Sequence, residues 1–176
     1  MKTRQNTITL KRTEGIHVVS AGNLYRIIAS GSQTEQRFSA IEMVLEPGQG
    51  APFHTHDRED ESFFVLEGCL SFYLGNKEFR AYKEDFVSCP PGVVRGFRNN
   101  TDAVARALLL YSSAGVEEMI ERSGKVVDRG TKASDVESRP GIQCPTLAEE
   151  YGIAKVSAPL PCDSNIATSS EGEGHA

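Results

Sequence analysis

The stretch GQGAPFHTHDREDESFFVLEG, residues 48–68, decides how this 176-residue chain is interpreted. Two histidines, His54 and His56, stand in it with one residue between them, and the carboxylate of Glu61 follows five residues later. In an extended strand alternate side chains share a face, so both imidazoles point the same way. Imidazole nitrogens and a carboxylate oxygen are ligands that divalent transition metals accept. The sequence therefore predicts a metal site at His54, His56 and Glu61.

The segment between the histidines and Glu61 is too polar to stay inside a sheet. We expect Asp57 to Asp60 to form a bulge or a solvated turn that returns the next strand, and with it Glu61, to the histidines. The acidic residues also suggest a loop for a hard cation. However, Arg58 lies within the segment and the spacing is not that of an EF-hand, so the turn is favoured.

Short β-rich runs separated by turn signals lie on both sides of this stretch. We predict strands in the following segments: residues 8–10, 17–20, 24–30, 38–46, the histidine strand, 62–67, 69–75, 77–82, 86–89, 93–100 and 105–112. Closely spaced strands without intervening helices predict an all-β fold, with antiparallel strands closed or sandwiched into a barrel. We expect this barrel to span residues 5–113.

The pattern changes beyond the barrel. Residues 114–124 carry apolar side chains at helical spacing among acidic ones, which predicts one surface helix that ends at a glycine. We expect Thr146 to cap a second short helix within the extension predicted at residues 114–157. The last segment, residues 158–176, is rich in Ser, Gly and Pro and poor in large apolar groups, which is typical of a disordered tail.

The charge of the chain limits the classes of partner. It has 19 basic and 24 acidic residues, a formal net charge of −5, and its basic residues are scattered without a run. This distribution argues against nucleic acid and against an anionic membrane, so a small molecule is the expected ligand. The sequence shows no signal-peptide pattern and no run of about 20 apolar residues. A cytoplasmic location is the default expectation.

The opening stretch resembles the first motif of the cupin superfamily at every position that defines it. These positions are Gly48, His54, His56, Glu61 and Gly68. The matching positions of a second motif, expected at residues 84–99, are Pro90, Gly92 and Asn99. The second motif departs from the family at Glu84, where it usually opens with glycine, and at Arg95, where it usually supplies a third histidine.

More narrowly, the chain is similar to single-domain cupins described as quercetin 2,3-dioxygenase-like. This resemblance implies an antiparallel double-stranded β-helix, or jelly-roll barrel, that forms a homodimer through its sheets. It implies a divalent transition metal, Fe, Mn or Ni, held by His54, His56 and Glu61. The implied activity is that of a metal-dependent, dioxygenase-like oxidoreductase acting on an aromatic or enol-type metabolite, with Glu61 as base and Arg95 polarising the substrate oxyanion.

Arg95 keeps other interpretations open. It shares strand parity with Phe97, so its permanent charge faces the barrel interior if Phe97 is in the core. At about 5 Å from a dication and an effective dielectric of ~20, that charge is repelled by roughly 6–7 kcal/mol, a cost that can abolish metal binding.

The metal can therefore be absent. Arg95 would then pair with Glu61, or clamp an anionic ligand, in a metal-free small-molecule-binding or regulatory cupin. Two further alternatives are a metal-dependent isomerase or lyase that uses the same site, and an arginine that faces outward at the end of its strand.

Overall fold

The computed structural model describes residues 7–137 and 145–157, so the tail predicted at 158–176 lies outside the described residues. The strands are β1 Ile16–Ser20, β2 Asn23–Ala29, β3 Ser39–Leu45, β4 Gly50–His56, β5 Asp60–Glu67, β6 Cys69–Leu74, β7 Lys77–Tyr82, β8 Phe86–Cys89, β9 Arg95–Arg98, β10 Ala105–Ser112, β11 Lys125–Val127 and β12 Ile153–Lys155. The helices are α1 Gly31–Thr34, α2 Val116–Ser123 and α3 Pro145–Glu150, and a 3₁₀ turn lies at Ala133–Asp135.

Two antiparallel sheets enclose the core. One sheet has seven strands in the order β11-β1-β2-β3-β10-β5-β8, and the other has five in the order β12-β4-β9-β6-β7. The consecutive strands β3, β4 and β5 alternate between the sheets, so the chain crosses the sandwich repeatedly. This is the jelly-roll arrangement, and the prediction of an all-β antiparallel fold is confirmed. None of the described helices is long and apolar enough to span a membrane.

The alternation of side chains along each strand builds the core. Along β10, Leu109 and Tyr111 are buried between the sheets, whereas Arg106 and Leu110 lie on the outer face. The middle of the core contains three phenylalanine rings in contact: Phe63, Phe72 and Phe97. One step from Phe63 along the inward row of β5, Glu61 pairs with Tyr111 across the ladder. The polar site therefore lies at the end of this aromatic core.

Backbone geometry explains Gly50, which lies within the stretch of the first motif, the motif glycine Gly68 and one departure from the second motif. A Cβ on Gly50 would lie 2.1 Å from the carbonyl oxygen of Phe97, so β4 and β9 approach closely only because residue 50 has no side chain. Gly68 has a φ of 75° in the turn between β5 and β6. Glu84, which stands where the second motif usually has glycine, also has a positive φ, 76°. The left-handed turn is therefore kept at a cost of about 1–3 kcal/mol.

The predicted strand at residues 8–10 is wrong, because these residues are described and have no regular structure. A strand there would need a free sheet edge. The next strand in the chain, β1, pairs with β2 on one side and with β11 on the other, so it offers no free edge to residues 8–10. Between β2 and β3, residues Gly31–Thr34 form the single helical turn α1.

The region after residue 113 contributes to both sheets, whereas the sequence predicted only helices there. The predicted first helix is present as α2 and the second as α3, but α3 begins at Pro145, so Thr146 lies within its first turn and does not cap it. In addition, β11 pairs with β1 at the edge of the seven-stranded sheet, and β12 pairs with β4 at the edge of the five-stranded sheet. Ile153 in β12 lies opposite His56. The division of the chain at residue 113 stays a prediction.

Candidate metal centre

The three predicted ligands come together from opposite sheets. His54 and His56 lie on β4 of the five-stranded sheet, and Glu61 lies near the start of β5 in the seven-stranded sheet. The Nε2 atoms of both histidines are 3.9 Å from Oε2 of Glu61. One ligand atom from each residue lies within 4.8 Å of the other two, and all three side chains are buried. The arrangement is a potential metal site.

The second nitrogen of each imidazole is already engaged. Nδ1 of His54 donates to the carbonyl oxygen of Pro52 at 2.7 Å, because a carbonyl can only accept. Nδ1 of His56 donates to Oε2 of Glu59 at 3.2 Å. Burial lowers the pKa of His54, which keeps its ring neutral. The Nε2 lone pairs therefore point towards Glu61, the tautomer that metal-binding histidines use.

The prediction of a solvated turn at residues 57–60 is wrong for Glu59, which is buried. Asp57 and Arg58 are exposed as predicted, but Glu59 is only 2% exposed and lies against His56. The turn is too short to keep all of its acidic side chains in water, since it carries the chain from one sheet to the other. The spacing of three residues between His56 and Glu59 was the available sequence signal. Glu59 holds the ring of His56 in orientation.

Tyr111 also belongs to the site, although its sequence context indicated only that it lies in a strand. Its hydroxyl donates to Oε1 of Glu61 at 2.7 Å, and its ring stacks on His56 with centroids 5.9 Å apart. Burial raises the pKa of Tyr111 well above its usual value, so the phenol stays protonated and remains a donor. The inward parity of Tyr111 with Leu109 on β10 was the signal that could have identified it.

Arg95 is buried beside the site, which excludes the outward-facing interpretation. Its guanidinium donates mainly to carbonyl oxygens of the preceding turn, at 2.7 Å to Pro90, 3.2 Å to Val93 and 3.4 Å to Cys89. Its Nη1 is also 3.5 Å from Oε2 of Glu61. The guanidinium is therefore tied to the backbone and supports Glu61 from one side.

The residues present fit a divalent transition metal. Two nitrogens and one oxygen face a common point, and bond lengths of about 2.1 Å would bring adjacent ligand atoms to about 3 Å apart. The observed separations of 3.9 Å need a contraction of about 1 Å. Glu59, which pairs with His56, and Glu61 are two buried carboxylates against the one positive charge of Arg95. This excess of negative charge favours a cation at the site.

A cavity of about 60 Å³ opens beside the ligand atoms. It is lined by the three candidate ligands together with Ser20, Ala21, Asn23, Tyr25, Gly50, Ala51, Pro52, Phe97, Tyr111, Val116, Met119, Ile120 and Ile153. Arg95 is not among the described residues that line it. A group bound in this cavity would meet the histidines and Glu61 on one side and apolar side chains on the other.

Comparisons with known proteins agree with this architecture. Residues 41–111 match the protein family described as a cupin domain. A relative, the quercetin 2,3-dioxygenase of Bacillus subtilis, is 26% identical over 89 residues, which are 51% of this chain and 26% of that protein. The chain thus spans about a quarter of the length of that relative.

Two solved structures show the same fold. KdgF from a Halomonas species has a TM-score of 0.56 and 17% identity, covering 65% of this chain and 99% of that one. A predicted oxalate decarboxylase from Thermotoga maritima has a TM-score of 0.55 and 18% identity, covering 60% of this chain and 99% of that one. These two likenesses show the fold alone, and the family match shows a cupin domain at residues 41–111 of this chain.

Proposed function

We propose that this protein is a metal-dependent, dioxygenase-like oxidoreductase that acts on an aromatic or enol-type small molecule. The observation that carries the proposal is the preset geometry of His54, His56 and Glu61. Both imidazoles are fixed with Nε2 facing the same carboxylate oxygen, beside a cavity. This arrangement supports a positively charged ion held between these atoms.

The ligand chemistry supports the proposal. Two histidines and one carboxylate leave coordination positions open on iron, manganese or nickel, and such a metal would supply redox or Lewis-acid chemistry to a bound substrate. The similarity to a quercetin 2,3-dioxygenase agrees with an oxidoreductase, although it covers only part of that enzyme. The enol or phenol class of substrate is proposed from that similarity.

The chain's own residues would hold the substrate and move its proton. Glu61 is the proposed base towards a substrate hydroxyl, and the hydrogen bond from Tyr111 fixes its other oxygen. Arg95 was expected to polarise the substrate directly. Because its guanidinium is tied to carbonyl oxygens and it does not line the cavity in the described structure, we propose that it acts through Glu61 as a positioning residue.

Metal content and oxygen use test this function. The full chain, purified without a histidine tag, is loaded separately with Fe(II), Mn(II) or Ni(II), and bound metal is measured by mass spectrometry. Oxygen uptake is then followed with quercetin and with small enol-forming compounds. We expect about one metal per chain and metal-dependent oxygen uptake. A chain that binds none of these metals would refute the proposal, and His54→Ala provides the control.

A second candidate is a metal-free binding or regulatory cupin, which the contact between Arg95 and Glu61 favours. In that case an anionic ligand would bind a metal-free sample, His54→Ala would leave its affinity unchanged, and Arg95→Ala would abolish it. A metal-dependent isomerase or lyase is the third candidate. It would show turnover under anaerobic conditions, which a dioxygenase would not.

We also propose that the protein forms a homodimer through a sheet face. Phe64 and Phe86 are paired across β5 and β8 and are 36% and 61% exposed on the outer face of the seven-stranded sheet. Light scattering at two protein concentrations tests this, with Phe86→Ser expected to shift the protein towards the monomer. The cytoplasmic location predicted from the sequence stays a prediction.

A further inference from the structure

The size of the cavity limits what can reach the proposed metal. A buried water needs roughly 10–15 Å³ of such space, so a cavity of about 60 Å³ has room for about four to six waters. Pockets for drug-sized ligands usually measure ~300–1,000 Å³. A flavonol, with its three rings, is therefore too large for the cavity as it stands in this structure.

The roof of the cavity comes from the region after the barrel. Val116, Met119 and Ile120 on α2 and Ile153 on β12 line it together with the candidate ligands. All four side chains are buried. The roof is therefore apolar, and its side chains fill the space that a larger substrate would need.

Polar contacts fix α2 over the barrel at both ends. Near its start, Oε1 of Glu117 accepts from the backbone N–H of Gly31 at 2.6 Å. At its end, the hydroxyls of Ser123 and Ser20 are 2.8 Å apart. A loosely attached helix would lack such anchors, so enlarging the cavity by moving α2 requires breaking buried hydrogen bonds.

A second attachment holds α3 and β12. Arg122 of α2 donates to Oε2 of Glu150 at 2.7 Å and to the hydroxyl of Tyr151 at 3.0 Å. The strand β12 then pairs directly with the histidine strand β4. The roof is thus joined to the strand that carries His54 and His56, and the size limit is built into the fold.

Asn23 is a buried polar residue that lines the same cavity. Its Nδ2 donates to the carbonyl oxygen of Gly50 at 3.0 Å and to the hydroxyl of Tyr25 at 3.1 Å. Because the Gly50 carbonyl can only accept, the amide cannot be reversed, and Oδ1 is left as a buried acceptor without a partner. A buried acceptor of this kind costs about 1–3 kcal/mol. The proton of the Tyr25 hydroxyl is also left available to a ligand acceptor.

We propose that the cavity selects a small ligand of about four to six non-hydrogen atoms, which donates a hydroxyl or N–H group to Oδ1 of Asn23 while an oxygen atom faces the metal site. This inference rests on the proposed function for the metal, and it narrows the substrate class to small hydroxycarbonyl or enol compounds. Asn23 recognises the ligand, and Met119 and Ile153 set its size.

Two hydroxamates with the same chelating group test the size limit. The full chain is loaded with Co(II), metal content is measured, and binding of acetohydroxamate and benzohydroxamate is followed by calorimetry. We expect acetohydroxamate to bind at least about tenfold more tightly. Met119→Ala and the milder Ile153→Val should reduce this ratio, whereas Glu118→Ala, at an exposed position of the same helix, should not. Equal affinities in the wild type, or an unchanged ratio in both enlarged variants, would overturn the size limit.

A ligand without the N–H group tests Asn23. We expect N-methylacetohydroxamate to bind the wild type about tenfold more weakly than acetohydroxamate, and Asn23→Ala to remove most of that difference. Ser39→Ala is the matched control, since Ser39 also carries a buried side-chain atom without a partner in the described structure but does not line the cavity. If Asn23→Ala shows the same difference in affinity between the two hydroxamates as the wild type, the proposed role of Asn23 is overturned. If the samples take up no metal, the proposed function is contradicted. If they take up metal but give one of the overturning results described above, only the inference about the cavity is contradicted.

Discussion

Two glutamates of the seven-stranded sheet, Glu42 and Glu61, meet arginines on opposite faces of that sheet. Glu42 lies on the outer face, where Oε2 accepts from Arg26 at 2.7 and 2.9 Å and Oε1 accepts from Arg106 through both Nε and Nη2. Glu61 lies inside, where Tyr111 takes one oxygen. Its other oxygen has the Nη1 of Arg95 at 3.5 Å, together with two imidazoles at 3.9 Å.

The difference between the two sites is how fully the carboxylate is satisfied. Burial raises the pKa of Glu42, but the hydrogen bonds from Arg106 and Arg26 outweigh this and hold the pKa below its usual value. Glu42 is thus fully used in joining three strands. Oε2 of Glu61 has one long contact to a guanidinium that is already bound to carbonyl oxygens. The outer carboxylate stabilises the fold, and the inner one has an oxygen that fits the proposed cation.

The largest effect on metal affinity is expected from removing the negative charge of Glu61. Glu61→Gln should lower metal affinity more than about 100-fold, because an amide is a weak ligand for a transition metal and Arg95 is then unopposed. Glu42→Gln is the matched control and should bind metal like the wild type. Calorimetric titration with Co(II) measures both. Equal losses in the two variants would show that the carboxylates do not differ in role.

Replacing Arg95, the arginine beside Glu61, should increase the difference between the sites of Glu61 and Glu42. Arg95→His removes the positive charge beside Glu61 and places an imidazole where the cupin motif usually has one, so metal affinity should rise about 100-fold. The carbonyl oxygens of Cys89, Pro90 and Val93 lose their donor, which should cost about 1–3 kcal/mol of stability. Metal titration and urea denaturation of the same sample measure the two changes. Unchanged metal affinity would show that Arg95 does not oppose the cation.

A smaller effect is expected from the carboxylate behind His56. Glu59→Gln keeps a hydrogen-bond acceptor but removes the negative charge, so metal affinity should fall about tenfold, near the lower end for groups that orient a ligand. The unfolding midpoint without metal should change little. Asp57→Asn, in the exposed part of the same turn, is the control. A loss as large as that of Glu61→Gln would mean that Glu59 itself contacts the metal.

The outer site should control stability at acidic pH. The folded pKa of Glu42 is lowered, so its contribution is complete above its ordinary value of 4.5 and is lost as the pH falls through the lowered value. Glu42→Gln should cost about 1–3 kcal/mol at neutral pH, less than for a fully buried pair because Arg106 is 40% exposed. Denaturation of wild type and variant at several pH values measures this difference. If the difference in unfolding free energy between the wild type and Glu42→Gln stays constant from neutral to strongly acidic pH, the stabilising role of the Glu42 carboxylate is contradicted.

Part of the site could be predicted from local spacing. The alternation of His54 and His56 placed both rings on one face, and the parity of Arg95 with Phe97 placed the arginine inside. Tyr111 was missed because its partner, the carboxylate of Glu61, lies 50 residues away in the chain. Glu59 was missed because the polar residues around it indicated a solvated turn, although its partner His56 is only three residues away. The strands β11 and β12 were missed because three-residue strands form only where an edge is available.

The sequence by itself determined the all-β class, most of the strands and the three candidate ligands, because strand periodicity and turn residues are local properties. The tertiary structure decided where those ligands meet. Its turn at residues 57–59 moves the chain to the opposite sheet, so Glu61 faces the histidines across the sandwich. It also decided that Arg95 is held by backbone carbonyls and that α2 and β12 close the cavity. These features depend on contacts between residues far apart in the chain, which no local pattern encodes.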